Sequence, residues 1–105
     1  MIMATTIYQS DYIYLRVRSL NISKTVRKAL FWKMHEQGDT LIPDDRIKAL
    51  KDEHRLSINI DEPAARRIRI IAQANHSKSA EVVRETLHQY IKEVRKHEEK
   101  ETVKD

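Results

Sequence analysis

The chain of 105 residues has no cysteine, one glycine, two prolines, one tryptophan and one phenylalanine. Without cysteine there are neither disulfides nor thiolate metal sites, which agrees with a reducing, cytoplasmic setting. So little Gly and Pro argues against a turn-dense β fold, and with 40% hydrophobic residues it favours a helix-rich architecture. No apolar run approaches the roughly eighteen residues of a membrane span. The start, MIMATTIYQSDYIYLRVR, lacks the charged and continuous apolar regions of an export signal, so neither membrane insertion nor secretion is expected.

Chemistry-bearing patterns are equally scarce. There is no Gly-rich phosphate loop, no nucleophile elbow and no pair of carboxylates in apolar surroundings, so an enzyme is not expected and no cofactor is implied. His35, His54, His76, His88 and His97 form neither a His-x3-His pair nor an HExxH motif, and no metal site is expected.

What is present is unevenly placed charge. The net charge is +4, but residues 1–33 carry six bases against Asp11 alone, residues 34–53 carry three bases and six acids, and residues 54–91 carry six bases and four acids. Two basic blocks around an acidic spacer suit a polyanion met at two places.

Hydrophobic periodicity divides the chain. Residues 12–18 alternate, with Ile13, Leu15 and Val17 on one side and Tyr12, Tyr14, Arg16 and Arg18 on the other, the pattern of a strand. Ser23 precedes an apolar stripe of Val26, Ala29, Leu30 and Met34 that predicts a helix over 24–37 ended by Gly38. Pro43, Asp44 and Asp45 open a short helix over 44–53. From Arg55 to Ile60 alternation returns, with Leu56, Ile58 and Ile60 apolar and Arg55, Ser57 and Asn59 polar. Asp61 and Pro63 start a helix with Ala64, Ala65, Ile68, Ile71 and Ala72 inward. NHSKS at 75–79 breaks it, and a second helix follows with Val83, Leu87, Tyr90, Ile91 and Val94 on one face. Past Val94 apolar residues almost vanish, and residues 95–105 read as a charged, fraying tail.

A lone strand at 55–60 needs a partner for its backbone groups. A second copy of the chain supplies one, giving an antiparallel ribbon with helices on one face and Arg55, Ser57 and Asn59 on the other. Such a ribbon fits the major groove, where Arg reaches guanine, Asn adenine and Ser either.

Residues 54–92, through the strand RLSINI, the helix opening DEP and the turn NHSKS, resemble the ribbon-helix-helix family of DNA-binding proteins. The resemblance implies a mainly α homodimeric domain over residues 54–94, joined by a short intermolecular two-stranded antiparallel β-ribbon and preceded by an N-terminal strand-plus-helices extension at 1–53. It implies base contacts by Arg55, Ser57 and Asn59 and phosphate contacts by Ser77, Lys78 and Ser79, with Ser77 also as helix cap. Asn75 stands where the family usually has Gly, and is read as a residue able to enter the left-handed region.

The pentapeptide NISKT at 21–25 anticipates the turn motif NHSKS. Ser23, Lys24 and Thr25, with Arg16 and Arg18, are therefore candidates for additional DNA contacts, beside the plainer reading of a good helix start. No counterpart of the helix at 62–74 is legible ahead of it, so a tandem repeat is not expected.

The functional expectation is a sequence-specific transcription regulator that binds double-stranded operator DNA as a homodimer, with room for higher-order assembly on DNA. Two alternatives stand beside it: an antitoxin that autoregulates its operon, with a protein partner engaging residues 1–53, and an accessory DNA-binding protein of a relaxosome. The long segment before the strand is loosely similar to plasmid-borne activators of conjugative transfer operons.

Overall fold

In the computed structural model of the chain, residues 2–38, 40–41 and 52–103 are described, with side chains as far as Glu98. Among them the chain is mainly helical with a small antiparallel sheet. The order is β1 (Ile2–Tyr8), α1 (Gln9–Val17), α2 (Ile22–Glu36), β2 (Glu53–Asn59), α3 (Glu62–Ala74) and α4 (Ser79–Val103). The expected short helix over 44–53 falls largely outside the described residues, and Glu53 already belongs to β2.

Two expectations are corrected together. Residues 12–18 are not a strand: they lie mostly within α1, which buries Asp11, Tyr14 and Leu15 at helical spacing and leaves Ile13 and Val17 51% and 73% exposed. The premise that the strand at 55–60 lacks a partner within its own chain is the second, because β2 pairs with β1, in a register from Ile2 opposite Asn59 to Tyr8 opposite Glu53. The reason is competition for one ladder. IMATTIY, rich in β-branched residues, fits the pleated surface and takes the ladder position beside β2. A helix as short as α1 is marginal alone. Here Leu15, fully buried, holds α1 in the common core with Ile7, Val26, Ile58, Ile68 and Leu87.

The element order is thus strand, helix, helix, repeated, which corrects the expectation that no counterpart of the helix at 62–74 precedes NISKT. The helix–helix turns of the two units agree bond for bond. Arg18 N–H donates to Tyr14 O, Ser19 to Arg16 and Leu20 to Leu15; Asn75 donates to Ile71, His76 to Gln73 and Ser77 to Ala72. Ser19 (φ 54°) and His76 (φ 51°) hold the left-handed position in the two turns. Asn75, with φ −112°, does not take that position as its likeness to the family Gly suggested. Its side chain instead donates to Ile71 O and accepts from the Leu41 N–H, tying the link after α2 to the end of α3.

Local chemistry explains the remaining ends. Asn21 caps α2 by accepting from the Lys24 N–H, and Gly38 (φ 64°) closes it with a bond to Lys33 O. Asp61 caps α3 through the Ala64 N–H, with Pro63 in the first turn. Lys33 is 1% exposed: its stem lies in the core and its ammonium donates to Gln37 Oε1 and the Thr40 carbonyl. The tail does not fray where apolar residues end. α4 continues to Val103, and Glu98 accepts from the Tyr14 hydroxyl (2.8 Å) and Arg18 (3.2 Å) beside α1.

Candidate functional site

The ribbon has two faces. Thr5, Ile7 and Ile58 are buried against the helices, with Met3 and Leu56 packed beside them. Alternation along a strand then sends Arg55, Ser57 and Asn59 to the opposite face, and all three are exposed. The register sets Thr6 opposite Arg55, Ala4 opposite Ser57 and Ile2 opposite Asn59. Ala4, Thr6, Arg55 and Ser57 border an open depression of about 420 Å³. Sequence periodicity picked out the β2 side of this face and missed Ile2, Ala4 and Thr6. Their signal, the richness of IMATTIY in β-branched residues, lay at the very start of the chain.

Both second helices of the repeat start against this ribbon. Ser23 Oγ, one residue into α2, accepts from the Asn59 backbone N–H at 2.9 Å. At the start of α4 the Ala80 carbonyl accepts from the Thr5 hydroxyl at 3.5 Å. The N-terminal ends of two helices, with exposed Lys24 and Lys78 beside them, therefore flank the polar face. Helix N-termini carry unpaired N–H groups and partial positive charge, a favourable setting for anions.

The other candidates are distributed unequally. Ser23 is taken up by the bond to Asn59, and Thr25 is buried and donates to Asn21 O. Ser77 does not cap α4, since its hydroxyl is buried without a hydrogen-bond partner; Lys78, whose carbonyl accepts from the Val82 N–H, occupies the capping position and Ser79 begins the helix. Arg16 is exposed in the last turn of α1, and Arg18 lies over the Tyr14 ring and pairs with Glu98. The pentapeptides NISKT and NHSKS are not structural equivalents. Matching the turns by their hydrogen bonds sets Arg18 against Asn75, and so aligns Asn21 with Lys78 and Ser23 with Ala80.

At the Tyr8–Glu53 end of the ribbon a partly buried polar cluster joins β1, α1 and β2 to α4. The Tyr8 hydroxyl donates to Glu85 Oε1 at 2.5 Å, Arg84 pairs with Glu53 at 2.7 Å, and Asp11 meets His88 Nδ1 at 2.9 Å. Burial, reinforced by the bond to Glu85, pushes the Tyr8 phenol well above its ordinary range. These contacts serve as cross-links between elements, and Glu85 Oε2 is left buried without a hydrogen-bond partner. Among the described residues there is no group of metal-ligating side chains and no helix long and apolar enough to cross a membrane.

Comparison with protein-family models, with curated proteins and with solved structures finds no match to this chain.

Proposed function

We propose that the chain is a sequence-specific regulator of transcription that binds double-stranded DNA by placing its own β1–β2 ribbon in the major groove. It is a single-chain counterpart of the ribbon-helix-helix arrangement, in which one polypeptide supplies both strands. The observation that carries this reading is the ribbon itself: two paired strands, apolar against the helices, with Arg55, Ser57 and Asn59 exposed on the opposite side. Strands lie about 5 Å apart and the major groove is about 12 Å wide, so a two-stranded ribbon with side chains enters it. Alternate residues recur every ~7 Å along a strand, so Arg55 to Asn59 spans roughly four base steps.

In this reading Arg55 donates to guanine, Asn59 pairs with adenine and Ser57 contacts either. The β1 side offers methyl groups of Ile2, Ala4 and Thr6 instead, which suit thymine methyls. Lys24 and Lys78, at the flanking helix starts, hold phosphates and fix the position of the ribbon without reading sequence. Because the two strands differ, the preferred site is not palindromic.

Selection of bound duplexes from a random pool identifies that site. Asn59→Ala is then expected to weaken the selected site by roughly 1–3 kcal/mol while random DNA is unaffected. Equal losses on both would remove Asn59 as a reader, and recovery of no enriched sequence would overturn the proposal. Lys78→Ala should lower affinity for all sequences and reduce the salt slope by about one unit.

A further inference from the structure

The structural repeat exposes an imbalance between α2 and α4. The correspondence of the preceding turns continues into these helices, where Thr25 N–H to Asn21 O matches Val82 N–H to Lys78 O. Arg27, Lys28 and Phe31 of α2 therefore stand where α4 has Arg84, Glu85 and His88. On α4 that face is covered: Glu53 pairs with Arg84, Tyr8 donates to Glu85 and stacks edge-on against His88, and Asp11 meets His88. On α2 the same face is open. Lys24, Arg27 and Lys28 are exposed, and none forms an ion pair among the described residues. Phe31 is 65% exposed. Behind them Trp32 and Tyr90, with ring centroids 6.0 Å apart, floor a trough of about 600 Å³.

We propose that this α2 face docks an acidic, aromatic-bearing segment of a partner protein. Charge complementarity carries the choice. Three cations stand within two helical turns, and α2 has no acid before Glu36. The covered face of α4 displays the matching chemistry, since its cation and imidazole are met by two carboxylates and a phenol ring. Carboxylates of the incoming segment pair with Arg27 and Lys28, and its aromatic ring lies on Phe31 and Trp32, where exposed apolar area is removed from water. At ~1.5 Å per residue, the stripe runs about 10 Å from Lys24 beside the ribbon to Phe31, so the bound segment sits alongside the ribbon and not on its polar face. The inference stands independently of DNA binding.

Trp32 is the sole tryptophan, so its emission reports occupancy of the trough directly. The full chain is titrated with a small panel of synthetic peptides, about four helical turns long, that place Glu on one helical face and Phe, Tyr or Leu on the other. Their Gln-for-Glu counterparts and a short oligothymidylate serve as further arms. At least one acidic peptide should give a saturable change that weakens tenfold or more with its Gln counterpart, with Phe31→Ala and with Arg27→Glu/Lys28→Glu. These side chains are exposed, and unchanged far-UV ellipticity checks that the variants fold. Saturable binding of oligothymidylate that is tighter than every peptide and lost in Phe31→Ala would assign the trough to single-stranded nucleic acid and overturn the proposal. So would the absence of saturation by any peptide up to millimolar concentration. So would a dimer in sedimentation that Phe31→Ala converts to monomer, which would assign the face to a second copy.

Discussion

If β1 and β2 belong to one polypeptide, folding is unimolecular, and Ile7→Ala tests this within the ladder. Ile7 is fully buried and lies opposite His54. Truncation removes three carbons, worth roughly 2.4 kcal/mol at ~0.8 kcal/mol each. Incomplete collapse of the cavity brings the expected cost to about 3–4 kcal/mol, within the usual range for such changes. Urea unfolding followed by far-UV ellipticity should show that loss in Ile7→Ala, with a midpoint that is the same at ~1 µM and ~100 µM protein for both variant and parent. A ribbon assembled from two copies behaves differently. A hundredfold dilution would then cost about 2.7 kcal/mol, which moves the midpoint by roughly 1–3 M urea at ordinary m-values. A midpoint that climbs with concentration in this way would refute the in-chain ladder, and a cost below ~1 kcal/mol for Ile7→Ala would refute the burial argument.

The polar cross-links make further tests. Burial and the bonds to Glu85 and Glu98 raise the Tyr8 and Tyr14 phenols, so their contribution is present below the unfolded value near pH ~10 and is lost as pH rises through the folded values. Ultraviolet titration should show two late-ionising tyrosines, and Tyr8→Phe should abolish one of them while costing roughly 1–3 kcal/mol by leaving the buried Glu85 with Arg84 Nε as its remaining donor. The Glu98 carboxyl is lowered, first by the Tyr14 hydrogen bond. Its attachment of α4 to α1 therefore persists above the unfolded carboxylate range and is released as pH falls through the folded value; hydrogen exchange around Glu98 should accelerate in acid in the parent and already at neutral pH in Glu98→Gln. Asp61→Ala should cost about 1 kcal/mol by removing the α3 cap and Asp61→Asn much less, as measured by thermal unfolding.

The second half of the chain was legible because each of its boundaries carries its own chemistry. Alternation over 55–60, the Asp61 cap with Pro63, and apolar spacing at Ile68, Ile71, Val83, Leu87 and Ile91 all point to the structure found. The first half lacks such signals. Tyr8 precedes α1 with no side-chain cap, and no Pro stands in its first turn. Ile13, Leu15 and Val17 mimic a strand because period two and period 3.6 share positions over a short window. What decided the outcome is tertiary: IMATTIY claims the ladder, and Asp11 gains His88 as a partner only from a helix. Of the exposed ribbon face, Arg55, Ser57 and Asn59 followed from parity alone. Ile2, Ala4 and Thr6 could be placed only after the strand partner was known.

The repeat itself was hidden by changes in spacing. The strands start at Ile2 and Glu53, the first helices at Gln9 and Glu62, and the matching turns at Arg18 and Asn75. The offset between the units therefore widens along the chain, because the second has a longer link between strand and helix and a longer first helix. The echo of NISKT in NHSKS follows none of these offsets and pairs an N-cap, Asn21, with a C-cap, Asn75. Once the units are covalently joined, neither strand has to be complementary to itself, as identical strands across a two-fold must be. Linkage also replaces association by loop closure, whose entropy grows only slowly with the length of the link. Each half is then free to diverge. The two halves differ both on the ribbon, polar along β2 and methyl-rich along β1, and on the helices, where α4 is covered from within the chain and the cationic, aromatic face of α2 is open.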